Sequence, residues 1–142
     1  MSIYADSSFF VSTCVYDAHS AEAALRMSKH PVVWISVLNR AEVANAIHRY
    51  VFRRVISETE AWTAWTQFER DRLNGVWIPV DSPERIWETS IDLARKHGPT
   101  LGVRTLDSLH VACALELKAQ RFWTFDDRQA RLAEAVGLNT NP

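Results

Sequence analysis

The chain has 142 residues, 47% of them hydrophobic and 23% charged, a length that fits one domain and buries roughly 70% of its unfolded surface without a metal or disulfide staple. Sixteen basic against seventeen acidic side chains leave a formal charge of −1, which excludes a protein that holds nucleic acid by bulk electrostatics but not one that touches it at a single site. Four glycines, five prolines and no apolar run near the roughly 18 to 20 residues of a bilayer span exclude collagen-like, disordered and membrane-spanning chains.

Met1 to Asp6 lacks the basic start of a signal peptide. Cys14 and Cys113 form neither a CxxC pair nor a disulfide framework, so a reducing cytoplasm is expected. Ile3-Tyr4-Ala5 reads as a short buried strand ending at Asp6-Ser7-Ser8. A helix is expected from about Ala18 to Ser28, stopped by Pro31. Val32 to Ile35 makes a second strand, after which Ser36 or Asn39 caps a long helix with Val43, Ile47, Tyr50 and Val51 on one face.

Ser57-Glu58-Thr59-Glu60 matches a capping box and opens a helix carrying Trp62, Trp65 and Phe68, which ends near Asn74-Gly75. Val76 to Val80 predicts a third strand, placed at an edge by Pro79. Ser82-Pro83 predicts the start of a helix with a Trp87, Ile91, Ala94 stripe, ended by Gly98-Pro99. Another begins near Thr105 with Leu106, Leu109, His110, Cys113 and Leu117 on one face. Phe122 to Phe125 is the fourth strand, and the last helix runs from Asp126 to a close at Gly137. No linker or repeat divides residues 1–142, and the alternation predicts a single α/β domain with a mainly parallel sheet.

In such a sheet the binding crevice lies at the carboxyl ends of the strands. Asp6 and Asp126 follow the first and fourth strands, while Glu42 and Asp107 lie early in helices that start at the same edge. Each alone has a plain explanation as a helix cap, a dipole partner or a solvated charge. Together they would repel one another unless a proton or cation neutralised them. Oxygen donors without Cys or His favour a hard ion such as Mg²⁺ or Mn²⁺, which suits phosphodiester hydrolysis.

Tyr4-Ala5-Asp6-Ser7-Ser8, Leu38-Asn39-Arg40-Ala41-Glu42, Arg104-Thr105-Leu106-Asp107-Ser108-Leu109-His110 and Thr124-Phe125-Asp126 resemble, in this order, the motifs of PIN-domain ribonucleases of the VapC toxin type. The resemblance implies a three-layer α/β/α fold with a parallel sheet of four or five strands. It further implies Mg²⁺- or Mn²⁺-dependent endoribonuclease activity as the toxin of a toxin–antitoxin pair. Asp6, Glu42, Asp107 and Asp126 then match the acidic quartet that holds metal and orients water. Ser8 and Thr124 match the supporting hydroxyls, and the register of Thr124-Phe125-Asp126 favours Asp126 over Asp127. A homodimer, a cognate antitoxin and an RNA substrate are the implied partners, with Trp62, Trp65 and Phe68 at a protein contact or in the core. Arg49 and Arg53 are candidates to track an RNA backbone; Arg54 is read as a solvated helix residue.

Two other classes remain open: a PIN-like partner-binding domain without catalysis, and a metal-dependent phosphatase. The second wants an Asp two residues after the nucleophile, where Ser8 stands. His110 is expected beside Asp107, and neither it with Cys113 nor the remaining histidines complete a zinc site or a triad. The glycines form no phosphate loop.

Overall fold

Side chains alternate along short strands, and here the alternation fills two cores at once. The computed structural model describes all 142 residues. Strands β1 (Ser2–Ala5), β2 (Val32–Ile35), β3 (Trp77–Pro79) and β4 (Arg121–Trp123) form one parallel sheet in the order β3-β2-β1-β4. Ile3, Ala5, Val33, Ile35, Trp77 and Trp123 face helices α1 (Ser7–Cys14), α2 (Ser20–Met27), α3 (Val37–Phe52) and α4 (Glu58–Leu73). Tyr4, Trp34 and Phe122 face α5 (Ile86–Leu101), α6 (Thr105–Glu116) and α7 (Asp127–Ala135) on the other side. The result is the three-layer α/β/α arrangement expected. No helix is long and apolar enough to cross a membrane.

The sheet's outer strands are both finished off. Pro79 lies on edge strand β3, where its missing N–H costs no ladder bond. Along β4 the Phe122 N–H donates outward to the Asn139 carbonyl at 2.9 Å, so the C-terminal segment lies along that edge.

Ser36 is the cap of α3, and Asn39 completes its capping box: Asn39 Oδ1 accepts from the Ser36 N–H at 2.8 Å and from its Oγ at 3.0 Å. The Asn39 Nδ2 then donates to the Ala5 carbonyl at 3.0 Å, tying α3 to the end of β1. Asn39 is fully buried. Asn39→Ala leaves the Ser36 N–H and the Ala5 carbonyl without partners and is expected to cost about 2–3 kcal/mol, read from denaturant unfolding.

Five readings of the sequence need correction. The helix α1 was not foreseen; its run Ser-Ser-Phe-Phe-Val has β character, and the Asp6 carboxylate accepting the Phe9 N–H at 3.2 Å starts it. α5 begins at Ile86 rather than Ser82-Pro83, because Pro83 instead opens a turn whose carbonyl accepts the Ile86 N–H at 3.1 Å. It also runs through Gly98-Pro99 to Leu101 and stops where Gly102 takes a left-handed φ of +61°. Its inward stripe is Ile86, Ser90 and Leu93, while Trp87 and Ile91 stay 61% and 49% exposed; two stripes one residue apart share the same period, and spacing does not say which is inside. Finally, β4 ends at Trp123, and Thr124-Phe125 leave the sheet toward the cleft. Of the α4 aromatics, Phe68 is core, Trp65 is half-buried against it, and Trp62 is exposed.

Candidate active site

Parallel strands deliver their following residues to one edge, and the expected carboxylates meet there. Asp6, Glu42, Asp107 and Asp126 line a single cavity of about 560 Å³. Asp6 caps α1 directly after β1 and is 3% exposed. Its Oδ1 accepts from Ser8 Oγ at 2.6 Å, and its Oδ2 from Thr124 Oγ1 at 2.9 Å. Ser8 and Thr124 also receive the backbone N–H groups of Phe125 and Asp126, each at 2.9 Å. The β4–α7 turn is thereby locked against Asp6. Burial pushes the Asp6 carboxyl above its ordinary pKa, against the opposing pull of nearby His110 and of these hydrogen bonds.

Asp107, 1% exposed, sits in the first turn of α6 and closes on Arg104. Its Oδ2 accepts from the Arg104 N–H at 2.9 Å and Nε at 3.1 Å, and its Oδ1 from the guanidinium Nη2 at 3.1 Å. Burial raises this carboxyl, but the Arg104 hydrogen bonds and charge, with a bond from Gln129, outweigh it and hold Asp107 below the usual carboxylate range. The same Arg104 Nη2 reaches Asp126 Oδ2 at 2.9 Å. Asp126, not Asp127, is the cap of α7: it accepts the N–H groups of Arg128 and Gln129 and turns toward the cavity, while Asp127 is exposed.

Glu42, on α3, accepts from Ser7 Oγ at 3.0 Å and pairs with His110 Nε2. Ala46 and Tyr50 on the same helix, and Arg53 just past its end, continue the cavity wall. Arg53 makes no ion pair in the structure; Arg49 does not line the cavity, and Arg54 lies beyond the end of α3 with φ +58°.

His110 corrects an expectation. Fully buried, it turns to Glu42 and to the Tyr4 hydroxyl at 2.8 Å from Nδ1, rather than to Asp107. Gln129 went unnoticed in the sequence: one turn into α7, its Nε2 donates to Asp107 Oδ1 at 3.1 Å, and its Oε1 is buried without a partner. The signal that could have found it is its spacing, three residues after a strand-end Asp.

No three His, Cys, Asp or Glu side chains stand together at metal-ligand separation, since Arg104 holds Asp107 and Asp126 while Ser8 and Thr124 hold Asp6. The donor set nonetheless suits a hard divalent cation: every candidate ligand is a carboxylate oxygen, and the orphaned Gln129 Oε1 adds a buried acceptor at the wall.

A family model described as the PIN domain matches residues 3–135. The chain belongs to the PIN-domain family. Nucleases of this family generally use divalent metal ions. No curated protein matches the sequence. Among solved structures the PIN domain here is similar to Mycobacterium tuberculosis VapC20, a toxin that cleaves the sarcin–ricin loop. That likeness has a TM-score of 0.71 at 19% identity, over 96% of this chain and 95% of the other. FitAcB from Neisseria gonorrhoeae is similar with a TM-score of 0.68 at 15% identity, covering 99% and 97%. VapBC2 from Rickettsia felis, solved with a DNA fragment from its promoter, gives 0.64 at 14% identity, covering 99% and 98%. At these identities the likeness is one of fold. The motifs on Asp6, Glu42, Asp107 and Asp126 lie within the matched PIN region.

Proposed function

We propose that this PIN domain is a metal-dependent endoribonuclease and the toxin of a toxin–antitoxin pair. The observation that carries the reading is the convergence of Asp6, Glu42, Asp107 and Asp126, from separate elements, on one cavity. In this reading Asp6, Asp107 and Asp126 hold Mg²⁺ or Mn²⁺, directly or through water, and Glu42 binds the ion or orients the attacking water. When bound, the ion lowers the pKa of that water and offsets charge on the scissile phosphate. Ser8 and Thr124 keep Asp6 in one rotamer through their hydrogen bonds. Ser7 and His110 do the same for Glu42. Arg104 pairs with Asp107 and Asp126 and brings to the cavity a guanidinium that would suit a phosphate.

The VapC20 likeness supports RNA as the substrate class, and FitAcB and VapBC2 support a protein antitoxin. A homodimer is part of the same proposal; exposed Trp62 and Trp87 offer apolar surface for either protein contact. The phosphatase reading loses ground because Ser8, where a second Asp would stand, is spent on hydrogen bonds to Asp6 and Phe125.

The test is incubation with a panel of transfer, ribosomal and messenger RNA in Mg²⁺ or Mn²⁺, beside EDTA. Discrete cuts that vanish with EDTA are expected. Activity should also fall on the acid side, as protons compete with the cation for the carboxylates. A profile flat down to about pH 4 would remove the carboxylate site from the chemistry.

A further inference from the structure

The cavity has an aromatic rim that the acidic quartet does not use. His19 and Phe125 stack with ring centroids 4.5 Å apart and planes only 5° from parallel, and both line the cavity. Phe125 is fixed at its backbone by the Ser8 hydroxyl, the same oxygen that donates to Asp6. The Arg26 guanidinium lies 5.3 Å over the Phe125 ring and is itself held by Glu22 at 2.8 Å. The stack is therefore backed by a rigid support one hydrogen-bonded residue from the acids.

The His19 side chain has no local task. It occupies the cap position of α2, where Ser, Asp or Asn usually accepts a backbone N–H, yet its ring makes no capping bond. The local turn is closed instead by Asp17, which accepts the His19 N–H at 2.8 Å and the Ser20 hydroxyl at 3.3 Å. His19 is exposed, so its packing on Phe125 buries only one side of the imidazole. Along the same cavity wall, Arg53 is a cation with no carboxylate partner, unlike Arg104.

We propose that the outer face of His19, backed by Phe125, is a stacking subsite for one unpaired nucleobase of the RNA strand, with Arg53 meeting a neighbouring phosphate. It rests on the ribonuclease reading above and narrows the substrate to single-stranded or looped RNA beside the cut. An aromatic face accepts any base, and a base in a duplex is already stacked. Charge favours this division of labour. The cavity is lined by Asp6, Asp17, Glu42, Asp107 and Asp126, so a strand gains little from bulk attraction and must be held by stacking and by single cations.

The test uses the full chain with single-stranded oligoribonucleotides carrying 2-aminopurine at successive positions, in Ca²⁺. At one position the fluorescence should be quenched on binding. His19→Ala should abolish that quenching and weaken binding about 5- to 100-fold, the range of one lost base–aromatic stack. His19→Tyr should restore both, and an abasic residue at that position should make wild type and His19→Ala bind alike. Quenching and affinity unchanged in His19→Ala would overturn the subsite while leaving the ribonuclease standing. Wild-type protein that neither binds nor cuts any RNA would overturn the ribonuclease reading, and the subsite with it.

Discussion

Asp107→Asn is expected to lower RNA cleavage by at least about 100-fold, beyond what loss of a mere supporting contact to a metal ligand brings, and to lower stability as well. The second effect follows from the hydrogen bonds. Every group around the Asp107 carboxylate is a donor: the Arg104 N–H, its Nε and Nη2, and the Gln129 Nε2. An asparagine amide turns an NH2 toward at least one of them and loses the charge that strengthens the rest. The cost is about 2 kcal/mol, in line with charged hydrogen bonds at buried sites. The sign with pH is definite. The carboxyl is held below its unfolded value, so its contribution is complete above the ordinary carboxyl range and disappears as the pH falls through the lowered one. Wild type should lose stability there and Asp107→Asn should not. Equal acid sensitivity in both, measured by urea unfolding across pH 2 to 7, would detach Asp107 from the effect.

Asp6→Asn should be as inactive, again by at least about 100-fold, yet as stable as wild type or more so near neutral pH. Here the surroundings tolerate an amide. One oxygen still accepts from Ser8 Oγ and the Phe9 N–H, and the NH2 can donate to Thr124 Oγ1, whose hydroxyl proton rotates away. Burial raises the Asp6 carboxyl, so its ionised form costs folding free energy above that raised value, and the cost vanishes as pH drops below the unfolded one. Removing the charge removes the cost. A stability loss matching that of Asp107→Asn would show that Asp6 is a structural cap before anything else. The contrast between two aspartates on one cavity separates a residue retained against stability from one that also supports the fold.

Much of this was legible beforehand because short-range chemistry decided it. Val32–Ile35, the Ser57–Glu60 box and the Gly137 close are local patterns, and each stands as read. The carboxylates at the strand ends followed from the parallel sheet alone, since such a sheet sends successive loops to one edge. What the residues concealed was set by tertiary partners. The α1 run became a helix through one carboxylate, and α5 buried the neighbouring stripe to the one its periodicity suggested. His110 chose Glu42 over Asp107 across 68 positions of sequence, and Arg104 bridged two acids 19 residues apart, neither of which spacing reveals.

The finished edges of the sheet have a consequence for which surfaces of this protein another chain can meet. An open strand invites another chain to zip on and grow the sheet without limit. Here Pro79 interrupts one side, and the tail at Asn139 occupies the other like a selvedge. Growth strand onto strand is thereby closed at both edges, which leaves the helical layers as the surfaces another chain can meet.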